Sequence, residues 1–517
     1  MIEIDGNQLT IDQVTAVARK GEKVSLSNQA LSRIEESHSW VDEIVMSPNP
    51  VYGINTGFGA FSDRRISGKD AELLSRNLIL SHAVATGPEL TSDVVRAAML
   101  IRANTLAKGY SGIRPVLIET IINMLNHGVT PIIPSQGSLG SSGDLAQLSH
   151  MALVFTTYGG DDEGESGRAE YQGQRLTGKS AMQSAGIPRL VLGAKEGLAV
   201  NNGATFSAAI AALAVNDADI LLESASIALA MSLEALLGVI SAFDPRIHMV
   251  RNHQGQMVVA ERIRKLTKGS TLLGSDGRIQ DAYSLRCAPQ VQGAAIDALL
   301  FIKDRIQREI NAATDNPLIF GPGEAISGGN FHGEPIGMVM DFLSIALTEV
   351  AGISERRTFR LTDGKLNADL PPMLVDNPEA AGLHSGMMMP QYTAASLVLE
   401  NQTLASPDSI YSLPTSAEQE DHNANAMTAA RHTSRIIQNT AHVLAIEIYC
   451  AARALDLRLR MVPDATFGHG VSAAHREIRK FVPYQAGDAW WGPEIEKVKE
   501  MVVNGSLINR VNDIVDT

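Results

Sequence analysis

Apolar residues in the segment GAAIDALLFIKDRIQREINAATDNPLIF (293–320) fall at Ile296, Leu299, Ile302, Ile306 and Ile310, with Lys303, Arg305 and Arg308 between them. A spacing of three or four residues puts the apolar groups on one face of an α-helix and the charges on the other. Asn316 and Pro317 predict where that helix ends, because the residue before proline is pushed out of helical conformation. The same texture runs through 205–241, 336–362, 390–404 and 424–457, while β-rich runs are few and short. Segments of that length can bury their apolar faces only against one another, so the pattern predicts a mainly α bundle of long helices. At 517 residues the chain exceeds what one compact core needs. Its composition changes too gradually to mark a linker. The division is therefore loose: a small mixed α/β part over 1–110, and a helical remainder over 111–517 that closes in a C-terminal helical cap.

The formal charge of −14 argues against nucleic acid or an anionic membrane as partner. Cys287 and Cys450 are too few for a disulfide framework and lack metal-ligand spacing, which fits a cytoplasmic protein. The opening residues MIEIDGNQLTIDQ do not read as a signal peptide. The most apolar run, LLESASIALAMSLEALLGVI (221–240), contains Glu223 and Glu234, so a helix buried in protein is expected there and no membrane span. The acidic, glycine-rich stretch 159–174 reads as a surface excursion.

The segment PIIPSQGSLGSSGDLAQLSH (131–150) raises the question of chemistry. A flexible linker would have polar neighbours, but Pro131, Ile132, Ile133 and Pro134 precede it and Leu145, Leu148, Met151 and Leu153 follow. A phosphate loop would need a lysine. A nucleophile elbow would need glycine where Asp144 stands. What remains is a tight turn feeding a helix N-terminus. In such a turn a Xaa-Ser-Gly tripeptide offers a further chemistry. The glycine nitrogen can attack the carbonyl carbon two residues back, and loss of water from the ring and from the serine leaves an electrophilic methylidene. Spacing alone does not select that option.

The segment GSLGSSGDLAQLSH resembles the signature of the histidine and aromatic amino-acid ammonia-lyase family. YGINTGFG (52–59), NLILSHAVATG (77–87), KEGLAVNNG (195–203), QDAYSLRCAPQ (280–290), GGNFHGEP (328–335) and PTSAEQEDH (414–422) are similar to further family motifs, in the family's order. The resemblance implies a long-helix bundle of the fumarase/aspartase-like type. It also implies a homotetramer with active sites shared between subunits, and a 4-methylidene-imidazol-5-one cofactor made from Ser141, Ser142 and Gly143 with no external cofactor or metal. Closest is the histidine branch, which implies elimination of ammonia from L-histidine to give trans-urocanate. Tyrosine, phenylalanine or a modified histidine as substrate, or a 2,3-aminomutase outcome, are the alternatives within the family. A catalytically inactive helical scaffold is the remote one.

Elimination of ammonia requires a base for the β-proton, and the resemblance makes Tyr52 that base, with a phenol whose pKa must be depressed. Arg286 is the carboxylate clamp, because a guanidinium offers a planar fork to two oxygens. Tyr283 lies one helical turn before it and is placed among the catalytic groups, with Gln280 a further turn back. By resemblance Asn202 and Gln280 bind the substrate carboxylate and the surroundings of the electrophile, and Phe331 packs over the ring. Thr415 with Glu418, and Ser416 with Gln419, form possible capping boxes, so a helix is expected to begin there with Glu420 in its first turns. A carboxylate at 420 can accept an imidazole N–H, and His82 is a polar neighbour of the same side-chain pocket. Two departures from the family pattern matter. Ser141 stands where alanine is usual, and Asn201 stands where an aliphatic residue adjoins the side-chain pocket. Gln147 replaces a common proline, a structural change. His332, Glu334, Asp421 and His422 form no compact metal-ligand set.

Overall fold

The computed structural model describes residues 1–47, 49–57, 64–159 and 163–515. Phe58 and Gly59 of YGINTGFG, and residues 160–162 of the acidic stretch, lie outside the described residues. Two compact units divide the chain, one of residues 1–216, 303–341 and 407–431, the other of 217–302, 342–406 and 432–517.

Long helices dominate: Thr205–Ala235, Ala288–Glu309, Glu334–Thr362, Met388–Leu404 and Ala426–Met461. The last, at 36 residues, is about 54 Å long at the usual helical rise. Strands are three or four residues at most and form small two- and three-stranded sheets. The mainly α, long-helix architecture expected from the periodicity is the one observed.

In the first unit, Ile2–Ile4 pairs in parallel with Val24–Leu26 across the helix Ile11–Lys20. That helix starts at a capping box of Thr10 and Gln13 and stops at Gly21 in the left-handed region. The helix Ser92–Ala107 is buried almost throughout its second half, Arg102 and Asn104 included. The acidic stretch runs into a hairpin, Arg168–Tyr171 with Gln174–Thr177. Gln172 and Gly173, both at positive φ, make its two-residue turn.

The helix Ala288–Glu309 closes earlier than Asn316–Pro317 would predict. The side-chain amide of Asn311 donates to Gln307 O at 2.9 Å, and Asn104 Nδ2 donates to Ile310 O at 2.9 Å. Two asparagine side chains thus satisfy carbonyls of the final turn in place of further helix.

In the second unit the run 221–240 lies mostly in the helix Thr205–Ala235. This helix and Glu334–Thr362 are long and apolar enough to cross a membrane, yet 78% and 67% of their apolar windows are buried inside the protein. Both charges of the run have partners: Glu223 pairs with Arg262 at 3.1 Å, and Glu234 accepts from Gly468 N at 2.9 Å. Burial pushes the Glu234 carboxyl up to about 8.

The core of this unit also holds a buried ionic knot. Glu447 Oε1 and Oε2 accept from Arg357 Nε at 2.5 Å and Nη2 at 2.8 Å, and from Ser232 Oγ at 2.7 Å and Ser354 Oγ at 2.6 Å. Both charged side chains are fully buried. Such a pair adds little against an apolar alternative, but removing one partner strands the other. Arg357→Leu is expected to cost about 3–5 kcal/mol, read as a lowered unfolding midpoint. Arg357→Lys, which keeps the charge and loses the fork, is expected to cost less.

Candidate active site

The Gly/Ser segment leaves the strand Pro134–Gln136 and enters the helix Leu145–Phe155 through a loop with Gly137, Gly140 and Gly143 at positive φ. It is a tight turn feeding a helix. Neighbouring backbone holds it closely: Gly333 N donates to Gly140 O at 2.8 Å, and Asn425 N to Leu139 O at 2.8 Å. Ser138 Oγ donates to Asp144 Oδ1 at 2.8 Å, and Gly140 N donates to Ser138 Oγ at 3.1 Å.

Asp144 precedes the helix Leu145–Phe155 without capping it. Its buried carboxylate instead accepts Ser207 N at 2.8 Å and Ser207 Oγ at 2.9 Å, in the first turn of Thr205–Ala235. Burial raises its pKa against those hydrogen bonds. One carboxylate thereby joins the serine-glycine turn to the positive end of a second helix.

Ser142 and Gly143 run against Asn202 and Gly203. Gly203 N donates to Ser142 O at 3.0 Å, Asp144 N donates to Gly203 O at 3.0 Å, and Asn202 Nδ2 donates to Ser142 O at 3.1 Å. A Cβ on Gly143 would lie 1.9 Å from the carbonyl carbon of Gly203. No side chain can occupy position 143. Asn202 is held in turn by Arg102, whose guanidinium donates to Asn202 O and, at 3.1 Å, to Val200 O. Burial lowers the Arg102 pKa to about 10, opposed by Asp315 and Asp144. Lys195 is fully buried on Asp315, and desolvation lowers its pKa against that pairing.

Glu420 reaches the two serines from a loop. Its Oε1 accepts Ser142 Oγ at 2.8 Å and its Oε2 accepts Ser141 Oγ at 2.8 Å. No helix starts at Thr415, contrary to the capping-box expectation. Ser416, Ala417 and Glu418 all have positive φ, and Thr415 N and Glu420 O close the loop at 2.8 Å. Side-chain pairs that suit a capping box cannot form a helix from a left-handed backbone; the next helix begins at Ala426.

Ser142 and Glu420 stand between two cavities of about 890 and 650 Å³, both lined wholly by residues of the first unit. Tyr52, Leu198 and Asn202 also line both. The larger adds Ser141, Phe331 and the stacked imidazoles of His332 and His422, 5.9 Å apart. The smaller adds His82 and Asn201. Burial lowers the His82 pKa, and the Glu420 carboxylate opposes it. Asn201 Nδ2 donates to Ser149 Oγ at 3.2 Å, and its Oδ1 is buried without a partner among the described residues.

Gln280, Tyr283 and Arg286 belong to the second unit. The expected turn is there: Tyr283–Arg286 is a short helix, with the Arg286 guanidinium 4.8 Å from the Tyr283 ring centre. Gln280 precedes it in irregular chain, so helical spacing does not extend back to it. Tyr283 is 70% exposed. Among the described residues no three His, Cys, Asp or Glu cluster as a metal site would need.

Sequence reasoning missed Arg102, Gly203, Ser138 and Ser149 as supports of the site. Only Arg102 carried a signal, an arginine within the apolar run AAMLIRANTLA.

The fold and the turn belong to a carbon–nitrogen lyase, the class to which the relatives of this chain assign it. The model of the aromatic amino acid lyase family matches residues 9–480, and the chain belongs to that family. It is 52% identical over 484 residues to a histidine ammonia-lyase of Caldanaerobacter subterraneus subsp. tengcongensis, covering 93% of this chain and 92% of that one. Among solved structures it is similar to histidine ammonia-lyase from Trypanosoma cruzi, with TM-score 0.90, 36% identity, and 99% and 95% of the two chains covered. Tyrosine aminomutase from Streptomyces globisporus matches with TM-score 0.92, 33% identity, and 100% and 99% coverage.

The approach of Gly143 to Gly203 predicts that Gly143→Ala abolishes activity. Intact-protein mass spectrometry is expected to show a chain that has lost no water. A variant that still loses two waters would show that the backbone yields here.

Proposed function

We propose that this enzyme eliminates ammonia from L-histidine to give trans-urocanate. The observation that carries the substrate choice is Glu420, a carboxylate on the wall of both cavities beside Ser142. It can accept an imidazole N–H, a donor that the phenyl ring of phenylalanine lacks. The 52% identity to a histidine ammonia-lyase supports the same choice.

Ser141, Ser142 and Gly143 fit the family's self-made ring, because position 143 is confined to glycine and the backbone is held in a bend. That ring, a 4-methylidene-imidazol-5-one, supplies an electrophilic carbon that no ordinary side chain has. Ser142 O would be its oxo group, and Gly203 N and Asn202 Nδ2 already donate to that oxygen. Two fixed N–H dipoles on one oxygen draw electron density toward it and need no reorganisation during reaction.

Tyr52, on the wall of both cavities, takes the substrate's β-proton. The Cβ–H pair becomes the Cα–Cβ double bond, and the amine leaves with the Cα–N pair. Phe331 bounds the larger cavity, and His82 and Asn201 bound the smaller one around the imidazole. Gln280, Tyr283 and Arg286 act in the site of a neighbouring copy within a homotetramer, with Arg286 holding the substrate carboxylate. Exposed Tyr283 and Ile279, 70% and 95% accessible, support a face that meets another chain. Two unpaired cysteines support a cytoplasmic location.

Histidine is expected to yield urocanate, read by ultraviolet absorbance; a product from tyrosine and none from histidine would overturn the proposal. Tyr52→Phe is expected to lower kcat about 10²–10⁴-fold with little change in KM. Tyr52→Phe and Arg286→Ala chains, each inactive alone, are expected to recover activity when refolded together, because a mixed oligomer contains sites with both residues intact. Failure of that complementation would place all the groups on one chain.

A further inference from the structure

Ser141 is the residue of the reactive turn whose side chain ring closure does not consume. Only its carbonyl carbon would enter the ring, and the hydroxymethyl group would stay. In the structure that hydroxyl donates to Glu420 Oε2 at 2.8 Å, and Ser142 Oγ donates to Oε1 at 2.8 Å. Ser141 is buried, and its bond to Glu420 lies part-buried on the wall of the larger cavity.

The two bonds have different fates. Ring closure expels Ser142 Oγ as water, so Oε1 loses its donor, while Oε2 keeps Ser141. The backbone of residue 420 is pinned by Thr415, whose N donates to Glu420 O at 2.8 Å. The carboxylate itself lies at the end of three rotatable bonds. With neither serine hydroxyl, its orientation would have to be fixed by the substrate, at an entropic cost to binding.

We propose that Ser141 is a positioning residue for substrate recognition: its hydroxyl fixes the Glu420 carboxylate through Oε2 and leaves Oε1 to accept the N–H of the substrate's imidazole. This rests on the reading of Glu420 as the imidazole acceptor. It gives the departure from alanine at 141 a physical role.

The test uses full-length protein whose intact mass shows the loss of two waters, so that maturation is read separately from recognition. The probe is imidazole-4-propionate, which has the ring and carboxylate of histidine and no amine to eliminate. Calorimetry is expected to show binding about threefold to tenfold weaker in Ser141→Ala. The KM for histidine should rise by the same factor while kcat changes less. Thr and Val differ at 141 by little more than the hydroxyl, so Ser141→Thr is expected to bind more tightly than Ser141→Val even if both disturb packing. In a Glu420→Gln background the effect of Ser141→Ala should shrink, because the two residues act through one bond. Equal binding by the Thr and Val variants overturns the proposal, as does an alanine effect undiminished by Glu420→Gln. Wild-type enzyme that releases no urocanate from histidine overturns the functional reading and this inference with it. Wild-type turnover combined with equal affinities in the variants overturns this inference alone.

Discussion

The backbone of residues 142–143 lies so close to that of 202–203 that Gly143 has no room for a side chain, and Thr314 confines Gly203 in the same way. A Cβ on Gly143 would meet the Gly203 carbonyl carbon at 1.9 Å, and one on Gly203 would meet Thr314 O at 2.7 Å. This double approach fixes the bend of the serine-glycine turn, directs Ser142 O at Gly203 N and Asn202 Nδ2, and sends the chain through Asp144 into the next helix. The rest of the first unit can be understood as what holds these two strands of backbone together.

Much of that holding is done by buried charge, which is costly in isolation and so must be arranged in balance. Arg102 reaches the carbonyls of Val200 and Asn202, Lys195 pairs with Asp315, and Asp144 binds the start of Thr205–Ala235. The cluster brings two basic and two acidic side chains beneath one turn. Desolvation lowers the pKa of Arg102 and Lys195, and Asp315 opposes it at both; desolvation raises that of Asp144. A cluster of this kind contributes less to stability than to geometry: any shift of Asn202 would break a buried hydrogen bond to Arg102 and expose no water to replace it.

The long helices were legible because their period runs through whole segments, as in Ile296 to Ile310, and no local feature competes with it. Boundaries were less so. Asn316–Pro317 looked like a stop, but the stop was made by Asn311 and by Asn104, more than two hundred residues away in sequence. At 415–420 the capping-box residues were present, yet the backbone turned left-handed because the loop closes on itself through Thr415 and Glu420. The reactive turn was visible only through the family resemblance, since Ser-Gly pairs are common in loops. Its supports were harder to see for another reason: Gly203 and Ser149 act through contacts between segments distant in sequence, which no local pattern encodes, and only Arg102 stood out, by lying in an apolar run.

On the proposed reading, Ser141 and Asn201 bear on the same discrimination. Ser141 binds Glu420, and Asn201 lines the smaller cavity with His82 and Glu420. Asn201 uses its amide nitrogen on Ser149 and leaves Oδ1 buried without a partner among the described residues. Burial lowers the His82 pKa, which favours a neutral imidazole that can donate or accept. On the proposed reading, a ligand that brings N–H groups into this cavity can satisfy acceptors that a phenyl ring would leave bare. An unpaired buried acceptor costs about 1–3 kcal/mol, comparable to the contribution of one methylene to a hydrophobic fit. Selectivity for an imidazole would then come from the penalty the pocket imposes on a ring without donors as much as from shape. That penalty increases with each acceptor the cavity wall leaves without a partner.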